Sequence, residues 1–266
     1  MLKQSILIIS AALIFSACNN KKEEPTSSVT DTQLAEKKIK ADILKFPDSL
    51  LLKENLIQYY RDNGAYDKAL AATDEVLQKD SGNARIWGIK ATLQYENEDT
   101  LNAIRCFETA ANILPVPGYT VPLGSLYAQT RNKKALDIAD ILLQDKSTDL
   151  AKEALFIKGE YFSYTGDKKQ AIAYFDKCLA LDYTFMFAYR EKAIALYNQA
   201  LYSEAVKVLD KAVTLQNNFD EGYYWLGQCF EKLNNNDAAI ESYRRALLYD
   251  SNYIEAKDAL TRLGVK

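Results

Sequence analysis

The chain has 266 residues, of which 48% are apolar and 26% charged, and its formal net charge is −3. Such a balance allows a large buried core but gives no sign of the clustered basic surface that nucleic-acid binding requires. Histidine is absent, which removes the commonest general base and the commonest metal ligand. With only 10 glycines and 5 prolines in a chain rich in alanine, leucine and lysine, the composition predicts an all-α protein.

The first predicted element is a secretion signal at residues 1–17. Lys3 precedes an apolar run from Ser5 to Ala17, which is shorter than the roughly 20 residues of a membrane-spanning helix. A charged start, a short apolar run and small residues at its end are typical of a signal peptide.

The apolar run ends in Phe15-Ser16-Ala17-Cys18, which resembles the lipobox of bacterial lipoproteins. The resemblance implies cleavage before Cys18 and attachment of acyl chains such as palmitate to its thiol, with an ordinary signal peptide as the alternative. Acyl chains contribute about 0.8 kcal/mol per buried CH₂, so several of them anchor a protein firmly to a membrane.

The residues after the cysteine predict a location. Asn19 favours the outer membrane, by resemblance to Gram-negative lipoproteins, and residues 21–24 (KKEE) resemble a surface-export signal of some Bacteroidetes lipoproteins. We therefore expect an outer-membrane lipoprotein, on the periplasmic face or the cell surface. The polar residues 18–30, with Pro25 among them, predict a flexible tether.

An alanine recurs at intervals of 34, 32, 36, 34 and 34 residues through the rest of the chain. The set is Ala69, Ala103, Ala135, Ala171, Ala205 and Ala239. A helix–turn–helix period of 34 residues with alanine at position twenty resembles the tetratricopeptide repeat, or TPR.

Other positions of the repeat agree with this resemblance. Position eight is small, position twenty-four is bulky and position twenty-seven is small again. The residues are Ala91, Gly159, Ala193 and Gly227; Phe107, Phe175, Leu209 and Tyr243; and Ala110, Cys178, Ala212 and Ala246. Small side chains let helices approach closely, and the bulky one fills the remaining space, so each helix pair must stack on its neighbours.

The resemblance therefore implies an all-α, right-handed α-solenoid over residues 31–266. Six repeats are expected at about 50–83, 84–117, 116–149, 152–185, 186–219 and 220–253. We expect an N-terminal capping helix over residues 32–46 and a C-terminal cap over residues 254–266. Pro122 lies inside the first helix of the third repeat, where it predicts a helix that starts late or is kinked.

Stacked repeats of this family have a concave face lined by their first helices, so the resemblance implies a groove for a partner. Tyrosine and arginine are the residue types that carry binding energy at protein interfaces. The residues that this resemblance places in the groove are Arg85, Tyr95, Tyr127, Glu153, Phe156, Glu160, Tyr164, Phe187, Arg190, Tyr197, Tyr224 and Lys232.

No nucleophile with a base, phosphate-binding loop or metal-ligand spacing was found in the sequence. We therefore expect no enzymatic activity, no cofactor, no metal and no nucleic-acid partner. The predicted function is a membrane-anchored adaptor that binds a protein or peptide, and the alternative is a surface lipoprotein that captures glycans or other nutrients.

Overall fold

The structure is a computed structural model that describes residues 28–265, with side chains described from Leu34 onward. The predicted signal peptide, Cys18 and residues 18–27 of the predicted tether lie outside the described residues. Within residues 28–265 the secondary structure is helical, without strands, which confirms the all-α prediction.

The helices are numbered in chain order. Their bounds are α1 (Ser28–Lys45), α2 (Leu50–Asp62), α3 (Tyr66–Lys79), α4 (Ala84–Glu96), α5 (Thr100–Ile113), α6 (Pro117–Gln129), α7 (Lys134–Leu142), α8 (Thr148–Thr165), α9 (Lys168–Leu181), α10 (Met186–Tyr197), α11 (Tyr202–Leu215), α12 (Asp220–Lys232), α13 (Asn236–Tyr249) and α14 (Ile254–Arg262).

The described chain divides into two compact units, with the boundary after Leu56. The first unit holds α1 and the start of α2. Helix α1 begins at Ser28, so residues 28–30 of the predicted tether are helical. An ion pair between Lys40 and Glu36, 2.7 Å long, links successive turns of α1.

Each of the described helices is too short or too polar to cross a lipid bilayer.

The second unit begins at Ile57 and consists of stacked helix pairs. The paired helices are α4 with α5, α6 with α7, α8 with α9, α10 with α11, and α12 with α13. The second helix of each pair also packs on the first helix of the next pair, and α13 packs on α14. This successive packing confirms the predicted solenoid of helical repeats.

The anchor alanines explain why the helices approach so closely. All six, from Ala69 to Ala239, are fully buried. The bulky position-twenty-four side chains Phe175, Leu209 and Tyr243 are fully buried as well. A larger side chain at an anchor position would push two helices apart, so the periodicity in the sequence is a packing requirement.

Each turn from a first helix to a second helix contains one residue with a left-handed backbone. These residues are Gly64 (φ 67°), Glu98 (φ 63°), Arg131 (φ 58°), Gly166 (φ 99°), Ala200 (φ 60°) and Asn234 (φ 57°). In most repeats this residue is the fifteenth of the 34. In the third repeat it is also the fifteenth if that repeat begins at Pro117, the first residue of α6.

Helix α6 begins at Pro117, five residues before Pro122. Pro117 occupies its first turn, where a missing N–H costs nothing, and Pro122 follows inside the helix. The amide that Pro122 lacks would have bonded to the carbonyl of Gly118, one residue into the helix. The expectation of a late start is therefore wrong.

Candidate functional site

The first helices of successive repeats carry a continuous group of polar and aromatic side chains. We call this group the first-helix cluster, and it has members on α4, α6, α8, α10 and α12. Its residues are Tyr95, Ser125, Gln129, Glu160, Tyr164, Arg190, Glu191 and Glu221.

Hydrogen bonds connect the N-terminal part of the cluster from helix to helix. Tyr95 on α4 is hydrogen-bonded to Gln129 on α6. Ser125, also on α6, is hydrogen-bonded to the carboxyl group of Glu160 on α8. These two bonds link the side chains of three consecutive first helices, from α4 to α8.

Arg190 on α10 connects the C-terminal part. Its Nη1 donates to both carboxylate oxygens of Glu221 on α12, at 2.9 and 2.7 Å, and its Nε donates to Glu191 at 2.9 Å. Burial opposes the charge of the guanidinium, but the two carboxylates outweigh it and raise the pKa of Arg190. Arg190 is therefore a fixed cation whose donors are directed at glutamates.

Glu160 lies at the centre of the cluster and is 7% exposed. Its Oε2 is buried and has no hydrogen-bond partner. Burial, which penalises the charged carboxylate, raises the pKa of Glu160 to about 8, and the bond from Ser125 opposes this shift only in part. At neutral pH the carboxyl group is mostly protonated.

The two tyrosines next to Glu160 are half-buried. Burial raises the pKa of both Tyr95 and Tyr164, and nearby carboxylates, Glu160 for Tyr95 and Glu191 for Tyr164, raise it further. Both hydroxyl groups therefore stay protonated over the physiological pH range, and the rings offer apolar area beside the acidic groups.

Four of the predicted groove residues, namely Tyr95, Glu160, Tyr164 and Arg190, are brought together in this cluster. Two more lie at its edge. The ring of Phe187 has the guanidinium of Arg190 at 5.5 Å from its centroid. Glu153, on the same helix as Glu160, is close enough to add to its raised pKa.

Tyr127 and Phe156 are not members of this cluster, although Phe156 lies one turn before Glu160 on α8. Tyr127 is 4% exposed, and its hydroxyl donates to Glu108 on the second helix α5. Phe156 is 8% exposed and packs against the rings of Phe175 and Phe185, with centroids 5.7 and 5.2 Å away. Both are core side chains.

The remaining predicted residues are not part of this cluster. Tyr197 and Tyr224 each contact Trp225, with ring centroids 5.6 and 5.7 Å away, in a separate aromatic group near the C-terminal repeats. Arg85, in the first turn of α4, and Lys232, at the end of α12, are exposed.

The prediction missed Ser125 and Gln129 because Ala135 sets the wrong register for α6. A Cβ on Gly124 would lie 2.7 Å from Ile157, so Gly124 is the close-contact residue of position eight. Counting from Gly124 puts Ser125 and Gln129 at positions nine and thirteen, the positions of Glu160 and Tyr164 in the next repeat. Gly124 was the signal that would have found them.

The three cysteines of the described chain offer no reactive thiol. Cys106, Cys178 and Cys229 are buried and unpaired. Burial raises the pKa of Cys178 and of Cys229 to about 12, so these thiols are not nucleophiles at neutral pH. Among the described residues, no group of three or more Cys, Asp or Glu is placed to hold a metal ion.

Stacked helix pairs with a polar face built from the first helices define an α-solenoid repeat protein. Tetratricopeptide repeat family models match residues 152–185 and 190–259. This protein therefore contains tetratricopeptide repeats.

Two curated proteins match part of the chain. The TPR repeat-containing protein MJ0940 of Methanocaldococcus jannaschii is 29% identical over 128 residues, which are 48% of this chain and 37% of that protein. The human Superkiller complex protein 3 is 25% identical over 178 residues, 63% of this chain and 11% of that protein. The matched region thus spans only a minor part of either relative.

Two solved structures show the same fold over most of the chain. A tetratricopeptide repeat protein from Parabacteroides merdae has a TM-score of 0.73 and 20% identity, with 89% of this chain and 93% of that one covered. PilW, a type IV pilus biogenesis factor, has a TM-score of 0.60 and 20% identity, with 79% and 97% covered. Identities this low support the fold alone.

Proposed function

We propose that this protein is a membrane-anchored, non-enzymatic adaptor of the cell envelope that binds a protein or peptide on the face of the first-helix cluster. The observation that carries the proposal is this cluster itself. Five consecutive first helices contribute half-buried aromatic and charged side chains to one connected surface. Such surfaces provide large contact area and directed hydrogen bonds, which protein recognition needs.

Site-specific photo-cross-linking tests the proposed face. We expect p-benzoylphenylalanine at Tyr164 to trap a polypeptide in cells, because Tyr164 is a half-buried member of the first-helix cluster. The same group at Tyr183, which is 63% exposed in the turn between α9 and α10, is the control and should give little product. Equal trapping at Tyr183, or trapping of glycan alone, would contradict the proposal, and the second result would favour glycan capture.

The anchor is a proposal from the sequence Phe15-Ser16-Ala17-Cys18. We expect Cys18→Ala to abolish metabolic labelling with an alkyne-tagged palmitate and to release the protein from the outer-membrane fraction. Label that persists in the Cys18→Ala variant would rule out acylation at this residue. Protease treatment of intact cells then distinguishes the periplasmic face from the cell surface.

A further inference from the structure

The fold provides no hydrogen-bond partner for one oxygen of the buried carboxyl group of Glu160. Ser125 satisfies one oxygen, while Oε2 is enclosed without any hydrogen bond. A buried polar atom without a partner costs about 1–3 kcal/mol. A glutamate that merely filled space would be less costly as leucine or methionine, so the position suggests a task outside folding.

The charges around Glu160 are mostly negative. Glu153 on α8 and Glu191 on α10 both raise its pKa, and Arg190 on α10 lowers it. Arg190, however, already bonds to Glu191 and Glu221 at 2.7–2.9 Å. The cluster, with Glu153 at its edge, therefore has four glutamates and one guanidinium, and two of the glutamates engage the donors of that guanidinium.

Two other cations near this face, Lys168 and Lys152, are engaged elsewhere, and Arg131 in the turn after α6 is close enough to Lys168 to lower its pKa. Lys168, at the start of α9, interacts electrostatically with Glu191, but its ammonium donates to the carbonyl of Ser163. Lys152 is bound to Asp182 at 3.1 Å. The groups that face Glu160 are thus Tyr95 from α4, Glu153 and Tyr164 from its own helix, and Arg190 with Glu191 from α10; α6 contributes the neutral Ser125.

We propose that the carboxyl group of Glu160 receives the ammonium or guanidinium group of a lysine or arginine in the bound polypeptide, with Tyr95 and Tyr164 flanking the aliphatic part of that side chain. This inference rests on the proposed function and specifies the ligand of the same face. Excess carboxylates attract a cation, and aromatic rings pack well against the stem and charge of lysine or arginine. Because Oε2 is buried, the side chains that cover it must rotate to admit the cation, a common change on binding.

Binding of a cation would be coupled to release of a proton. In the free protein Glu160 keeps its proton up to about pH 8, whereas a cation at Oε2 favours the ionised carboxylate and lowers its pKa. The affinity for a basic peptide therefore rises with pH from 6 toward 8 and levels off above the pKa of the free protein. An acidic or purely apolar ligand would show no such rise.

The test uses amidated, N-acetylated octapeptide libraries in which one position is fixed as Arg, Lys, Leu or Glu. The folded protein without its anchor segment, residues 28–266, is immobilised, and retention is quantified at pH 6.0, 7.0 and 8.5. We expect the Arg and Lys libraries to be retained at least about tenfold better than the Glu library, with retention rising several-fold from pH 6.0 to 8.5.

Glu160→Gln keeps the shape of the side chain but cannot ionise, so it should remove the rise with pH and most of the preference for Arg and Lys. Glu75→Gln, the same change at an exposed site on α3, is the matched control and should behave as wild type. Retention without charge preference, or a preference that survives in Glu160→Gln, would overturn this inference and leave peptide binding intact. Retention of no library would contradict both the inference and peptide binding on this face.

Discussion

A methyl group added at Gly159 is expected to destabilise the repeat array by about 2 kcal/mol. A Cβ there would lie 2.4, 2.6 and 2.9 Å from three ring atoms of Phe175, a fully buried side chain. Alanine is intrinsically better than glycine in a helix by about 1 kcal/mol. The steric conflict outweighs this gain because the ring of Phe175 is itself packed against Phe156, 5.7 Å away between centroids.

The repeat that follows shows how the conflict is relieved. It has Ala193 at position eight and Leu209 at position twenty-four, both buried. We therefore expect Phe175→Leu to restore part of the stability that Gly159→Ala loses, with a coupling energy of about 1–2 kcal/mol in the double-mutant cycle. Urea unfolding followed by circular dichroism measures all four proteins.

The control for this cycle is Gly118→Ala. Gly118 lies in the first turn of α6, and a Cβ there has no atom within 4 Å, so no loss of stability is expected. If Gly159→Ala and Phe175→Leu were simply additive, the close helix contact at position eight would not depend on the bulky residue at position twenty-four.

The second large effect concerns Glu160 and the pH dependence of stability. Its pKa is about 8 in the folded protein and 4.5 when unperturbed. Between these values the folded state keeps a proton that the unfolded state releases, so the contribution of Glu160 to stability falls as pH rises through about 8. The expected loss is roughly 3 kcal/mol between pH 5 and pH 8, at 1.36 kcal/mol per unit of pKa difference.

Glu160→Gln removes this titration. We expect the variant to lose less stability than wild type between pH 5 and pH 8.5 and to be the more stable protein at pH 8.5. Urea midpoints at pH 5.0, 7.0 and 8.5 measure the difference, with Glu75→Gln as the control. Parallel profiles for wild type and Glu160→Gln would show that the buried carboxyl group does not hold its proton.

The fold was predictable because a solenoid repeats one packing problem. Each anchor alanine, such as Ala205, marks the same close contact between helices. Because this contact recurs six times, the period can be recognised even where one repeat departs from it. The face was predicted only in part, because the position of a side chain on a helix depends on the register of that helix. The register predicted for α6 is off by one residue, so it places Tyr127 on the face and leaves out Ser125 and Gln129.

Burial of the cluster could not be predicted from the spacing. Glu160 and Arg190 occupy positions that are ordinarily partly solvent-exposed in an amphipathic helix, and their surroundings depend on side chains from three other repeats. The sequence contains the residues of this network, but it does not contain the distances between them. The unpartnered Oε2 of Glu160 became visible only in three dimensions.

Carbon-13 NMR of the glutamate side-chain carboxyl groups, assigned for Glu160 with the Glu160→Gln variant, tests the binding face most directly. The protein is titrated from pH 4 to pH 10, alone and with saturating peptide from the best-retained library. Our account predicts that Glu160 titrates near pH 8 in the free protein and at a clearly lower pH in the complex. An ordinary titration near pH 4.5, unchanged by the peptide, would contradict it.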